Sequence, residues 1–178
     1  FFPYCADVLQ IYGSDLLSPL MFSPISLPPS LLYNIWVLSL LIIGALGMRQ
    51  LLLFLDTTPW MALAGGWAWM SAPFLQHELL NGTSELLSTG LLTWFIWLTL
   101  SIWERPTLRK GAWIGVVSGI LLMSSAYNPF FMLLILLVLL VHRLTTNLDP
   151  LWSKALGQSS LAAVGGFLPF LLFVGWIQ

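Results

Sequence analysis

The stretch from Leu31 to Leu55 constrains the fold most, because its 25 residues include a single charged side chain, Arg49. As a helix it would reach ~37 Å at 1.5 Å per residue, long enough to cross a bilayer with some tilt. Further apolar runs follow to the end of the chain. Only 7% of the residues are charged, whereas soluble domains carry roughly 25%. So few charges could not cover a water-facing surface, and we expect a protein embedded in a lipid bilayer.

The apolar runs predict helices. Hydrocarbon offers no partner to backbone N–H and C=O groups, so only helices and closed barrels span membranes. Strands of such barrels alternate apolar and polar residues, and Phe130–Val141 does not. The sequence therefore predicts an all-α, multi-pass integral membrane protein with about six transmembrane or half-spanning helices. Their predicted bounds are Leu31–Leu55, Pro59–Leu75, Leu86–Trp103, Gly111–Ala126, Phe130–Val141 and Gln158–Ile177.

Prolines and turn signals divide the chain. Five prolines before residue 30 forbid one continuous helix there. We therefore predict an extracytoplasmic loop with short helices over residues 1–30 and a transmembrane helical domain over residues 31–178. Because the chain begins without Met and ends directly after an apolar run, we expect it to be a fragment of a longer polypeptide.

Local signals refine the helix ends. Thr58 is a predicted cap for a helix that has Pro59 at its first position. Asn128-Pro129 is a turn-forming pair, and it predicts a hairpin between the fourth and fifth spans. Asn34 lies inside the first span, where we expect it to hydrogen-bond a neighbouring helix.

Charge predicts the orientation. If the helices alternate across the bilayer, every Lys and Arg falls on one side, namely Arg49, Arg105, Arg109, Lys110, Arg143 and Lys154. The positive-inside rule makes that side the cytoplasm, with residues 104–110 and 142–157 facing it. Residues 1–30 and 76–85 are then extracytoplasmic. Net charge is −1 and no basic tail is present, which argues against a nucleic-acid partner.

The opposite face carries acids and one histidine without a Lys or Arg. In a helix, Glu78 and Glu85 would share a face and His77 would lie near it. These three residues could bind a sugar or a divalent metal ion. Alternatively, the segment is a short interfacial helix that ends at Asn81-Gly82, followed by a cap at Thr83 or Ser84.

Several motifs occur in a familiar order: Gly13–Pro19, Leu32-Tyr33-Asn34, Gly44–Met48, His77–Glu85 and Ser124–Tyr127. Over roughly residues 1–145 this order resembles the bacterial membrane glycosyltransferases of the GT-C superfamily, including the YfhO-like and related groups. The resemblance implies transfer of a sugar from a polyprenyl-phosphate carrier on the extracytoplasmic side of the bacterial inner membrane. It also implies a catalytic acid in the first outer loop, here Asp7 or Asp15. That loop lacks the adjacent acidic pair seen in such enzymes.

Two other interpretations stay open. Asp15 is more often a helix N-cap than a catalytic base, and Asp7 could be a solvated loop acid. The chain as a whole could be a non-catalytic integral membrane subunit that packs small-residue faces (Gly44/Gly47, Gly65/Gly66, Gly165/Gly166) against protein partners. A transporter is a weaker candidate, because the sequence has no inverted repeat.

Overall fold

A computed structural model describes residues 28–81, 88–125, 127–145, 161 and 163–165. Every regular element in these ranges is helical, which confirms the all-α class. The helices are α1 (Pro29–Phe54), α2 (Pro59–Met70), α3 (Pro73–Asn81), α4 (Gly90–Glu104), α5 (Leu108–Ser124) and α6 (Tyr127–Thr145). The predicted boundary at residue 30 stays a prediction, since residues 1–27 lie outside the described ranges.

Helix α1 matches the first predicted span to within two residues at its start and one at its end. It ends because Asp56 adopts a left-handed conformation, with φ at 58°. The N–H groups of Asp56 and Thr57 then turn back to the carbonyls of Leu53 and Leu52, both at 3.2 Å. This reversal satisfies carbonyls that the end of a helix would otherwise leave unpaired.

The second predicted span is two helices rather than one. Its start is as predicted, since Thr58 Oγ1 accepts from the Met61 N–H at 3.3 Å. However, α2 ends at Met70, and α3 begins at Pro73. A proline has no N–H and disfavours helical geometry in the residue before it, so the helix stops and restarts with Pro73 at its first position.

Helix α1 lies between α2 and α4. A Cβ built on Gly44 would come within 2.9 Å of the Gly90 Cα, and one built on Gly47 would meet Thr93. Residue numbers rise together on the two helices from the first pair to the second, so α1 and α4 run in the same direction. Helix α2 runs the opposite way, because Gly65 faces Leu52 whereas Gly66 faces Ala45.

Helices α5 and α6 complete the bundle. Met123, near the end of α5, packs with Trp36 and Leu40 in the first half of α1, so α5 runs antiparallel to α4. Met132 and Ile135 of α6 pack on the cluster that α4 and α5 share. The predicted hairpin is present, but Asn128 and Pro129 lie in the first turn of α6, where a proline is tolerated. The chain reverses just before them.

The outer surface of the bundle is apolar. Among the described residues, Trp60, Trp67 and Leu133 are 81%, 73% and 67% exposed. Within these ranges, one helix is long and apolar enough to cross a membrane, over Asn34–Phe54, whereas Gly90–Glu104 and Tyr127–Leu139 are apolar but shorter. An exposed apolar surface of this extent is typical of contact with lipid or another protein, and it indicates association with a membrane.

Candidate functional site

Most of the predicted site residues lie outside the described ranges. This holds for Asp7, Asp15 and Glu85. His77 is exposed on α3, and Glu78 follows it in the same helix, although the Glu78 side chain is outside the described set. Helix α3 covers Pro73–Asn81, and residues 82–87, on which the interpretation of a short helix followed by a cap depends, lie outside the described ranges. Among the described residues no three His, Cys, Asp or Glu side chains gather as metal ligands, and a divalent metal stays a prediction.

The bundle has two chemically different ends. We call the end that holds the turn after α1 and the turn between α4 and α5 the basic end. It carries Arg105, Arg109 and Lys110, and Arg49 lies in the last turns of α1. The other end holds α3 and the turn between α5 and α6, and we call it the α3 end. Leu75 of α3 fixes this assignment, because it is fully buried against Trp36 and Met123.

The cations of the basic end are not equivalent. Lys110 donates from Nζ to the Ser101 carbonyl at 2.8 Å and to the Arg105 carbonyl at 3.1 Å. Its ammonium therefore caps the C-terminal end of α4, where backbone carbonyls are otherwise unsatisfied. Arg105 and Arg109 are exposed.

Sequence reasoning missed a buried polar group at the α3 end. Asn128 is 0% exposed and donates from Nδ2 to Ser88 Oγ at 2.8 Å, the Leu121 carbonyl at 3.1 Å and Ser124 Oγ at 3.2 Å. We call Ser88, Ser124, Ser125 and Asn128 the serine–asparagine cluster. It joins the residues just before α4 to the turn between α5 and α6.

Asn34 is exposed on α1, and among the described residues it has no hydrogen bond to a neighbouring helix, so that expectation stays a prediction. The signal for Asn128 was weak, because an Asn-Pro pair usually marks a turn. Three polar residues, Ser124, Ser125 and Asn128, near the middle of an otherwise apolar hairpin are the one hint that the sequence offers.

The chemistry available to this cluster is hydrogen bonding. Asn128 Oδ1 is buried and accepts no hydrogen bond within the described part of the chain. A buried amide oxygen without a donor is costly, and it can accept from a hydroxyl group. A neutral amide and hydroxyl groups supply no general base, so the described part of the cluster positions helices rather than performing acid–base chemistry.

An apolar groove runs along the outside of α5 and α6. Its volume is about 390 Å³. Ser118 is its one polar side chain among Ile114, Gly115, Ser118, Leu122, Pro129, Met132, Leu133, Leu136, Ala163 and Val164. Leu122 and Pro129 bring one end of the groove beside the serine–asparagine cluster. A groove of this lining suits a hydrocarbon chain.

Comparison with known proteins gives no relative: no family model matches the chain, and neither a curated protein nor a solved structure matches it.

Proposed function

We propose that the chain is the membrane-embedded part of a multi-pass integral membrane protein of the GT-C type. In this proposal it transfers a sugar from a polyprenyl-phosphate carrier on the extracytoplasmic side of the bacterial inner membrane. The observation that carries the proposal is the opposition of the two ends of the bundle. Cations lie at one end, and α3 with His77 and the backbone of Glu78 lies at the other.

The membrane part of the proposal rests on length and exposure. At 1.5 Å per residue α1 reaches ~39 Å, enough to cross the ~30 Å hydrocarbon core. Helix α4, with 15 residues, reaches only ~22 Å and fits a half-spanning helix. Helix α1 has exposed large apolar side chains, and α4 packs against α1. With Arg105 and Arg109 at the basic end, the positive-inside rule assigns that end to the cytoplasm.

The catalytic part needs an acid, an acceptor and a bound lipid at the α3 end. An acceptor hydroxyl attacks the anomeric carbon, its proton passes to a carboxylate, and the carbon–oxygen bond to the polyprenyl phosphate breaks. Asp7 or Asp15 would receive the proton, and His77, Glu78 and Glu85 would bind the sugar. The apolar groove on α5 and α6 supports this arrangement, since it has room for part of an isoprenoid chain.

Single substitutions of the acids test this assignment. Asp7→Asn, Asp15→Asn, Glu78→Gln and Glu85→Gln are introduced into the full-length protein, and transfer from a radiolabelled polyprenyl-phosphate sugar is measured in membranes. We expect the variant that lacks the general base to lose about 10²–10⁴-fold in rate. Asp56→Asn is the matched control, since Asp56 is an exposed acid beside the basic end and its loss should leave the rate unchanged. Full activity in all four variants would rule out the proposed roles.

The second candidate is a non-catalytic membrane subunit, and the exposed face of α2 favours it. Trp60, Leu63 and Trp67 are each more than half exposed, which is typical of a surface that binds another protein. A benzophenone side chain placed at position 63 separates the two functions. It should crosslink to lipid in the glycosyltransferase and to another polypeptide in the subunit.

A further inference from the structure

Two arginines at the turn between α4 and α5 have no acidic partner among the described residues. Arg105 and Arg109 are exposed, and within the described ranges neither guanidinium has a hydrogen bond or ion pair. Glu104 precedes Arg105 but forms no ion pair with it. Lys110, one residue beyond Arg109, differs because its ammonium is bound to two carbonyls.

Apolar side chains share the surface with these arginines. Leu108 lies between them in the chain and is 61% exposed. Trp113 is 53% exposed, and it follows Arg109 by four residues on α5, so the two side chains share one face of the helix. Tryptophans are enriched where hydrocarbon meets the lipid headgroups. A surface with cations at its rim and exposed apolar groups beside them fits the headgroup region of a bilayer.

We propose that Arg105 and Arg109 bind the phosphate of anionic phospholipids at the basic end, and that Lys110 takes no part. A planar guanidinium donates two parallel hydrogen bonds to a phosphate. The Lys110 ammonium would have to give up its carbonyl partners to do the same. This inference rests on the membrane part of the proposed function. It does not depend on sugar transfer, which the proposed function assigns to the α3 end.

Native mass spectrometry of the detergent-solubilised protein tests the inference. Binding of phosphatidylglycerol and of phosphatidylcholine is titrated for the unchanged protein, Arg105→Gln, Arg109→Gln, the double variant and Lys110→Gln. Each cation near anionic lipid contributes on the order of fivefold in affinity. We therefore expect about fivefold weaker phosphatidylglycerol binding for each single arginine variant and about 25-fold for the double variant. Lys110→Gln should stay within about twofold, and phosphatidylcholine binding should not change.

Three results would overturn the inference. The first is a loss in Lys110→Gln equal to that in either arginine variant, because net charge alone would then explain binding. The second is equal affinity of the unchanged protein for both lipids. The third is displacement of the lipid by millimolar glycerol phosphate, which would indicate a soluble phosphate ligand instead.

A measurement on the unchanged protein keeps the inference testable if a variant does not fold. Phosphatidylglycerol binding by exposed arginines must weaken as ionic strength rises, since exposed charges are screened. A salt-independent affinity would contradict the role of Arg105 and Arg109. If the membrane part of the proposed function is wrong, phosphatidylcholine binding should be lost together with phosphatidylglycerol binding. If only sugar transfer is wrong, binding of both lipids should remain.

Discussion

At the scale of single residues, Asn128 is the side chain whose position matters most. Its amide reaches Ser88 across forty residues of sequence, and it also binds Ser124 and the carbonyl of Leu121 within its own hairpin. Apolar packing leaves helices free to slide, whereas a buried amide fixes one register because any shift leaves its donors unpaired. The amide thus fixes the turn between α5 and α6 at the start of α4.

Replacing Asn128 should destabilise the bundle. Asn128→Ala leaves Ser88 Oγ and Ser124 Oγ without their buried donor, and we expect a loss of about 1–3 kcal/mol in the free energy of unfolding. Unfolding in mixed detergent micelles measures it. Asn34→Ala is the matched control, because Asn34 is exposed, and it should change stability by less than about 0.5 kcal/mol. Equal losses in both variants would show that the network contributes nothing specific.

At the scale of the element, the contact between α1 and α4 depends on two glycines. A Cβ on Gly90 would lie 2.7 Å from the Gly44 Cα and 3.3 Å from the Leu40 carbonyl. The two backbones therefore lie so close that no side chain fits between them at Gly90. Hydrogen bonds cross this contact, since Trp94 Nε1 donates to the Ile43 carbonyl at 2.8 Å and Thr93 Oγ1 approaches the Gly44 carbonyl at 3.4 Å.

A methyl group at this contact should separate the helices. Gly90→Ala places it against backbone, which cannot yield as a flexible side chain would. We expect a destabilisation of about 3 kcal/mol or slightly more, together with weaker protection of the α1 amides from hydrogen exchange. Gly165→Ala is the control, since nothing lies within 4 Å of its built Cβ, and it should be neutral or slightly stabilising. A tolerated Gly90→Ala would contradict the close α1–α4 packing.

Sequence reasoning predicted elements where the signal is local. The bounds of α1 follow from its apolar run, and the start of α2 follows from the Thr58-Pro59 cap. The break at Pro73 was missed, because the apolar run continues on both sides of it and hides the change of helix. The serine–asparagine cluster was missed for a different reason. Ser88 precedes the other three members by 36 to 40 residues, and single-sequence patterns carry no information on which distant polar residues meet.

At the scale of the whole molecule, the directions of the packed helices and the positions of the cations define the same basic end. The parallel course of α1 and α4, and the antiparallel course of α2 and α5, bring the turns with Asp56 and Arg105 to one end. Of the five predicted site residues, two lie within the described ranges and three do not. His77 and the Glu78 backbone belong to the α3 end, and Asp7, Asp15 and Glu85 lie outside the described residues. The apolar exterior requires a bilayer or protein around the bundle, whichever function the α3 end performs.

The most direct test of the account is the accessibility of two positions from the two sides of the membrane. Every native cysteine of the full-length protein, Cys5 among them, is replaced by Ser, and single cysteines are introduced as His77→Cys and Arg109→Cys. An impermeant maleimide is then applied to intact cells and to inverted vesicles. The account predicts that position 77 reacts in cells alone and position 109 in inverted vesicles alone. Reaction of both positions from the same side would contradict it.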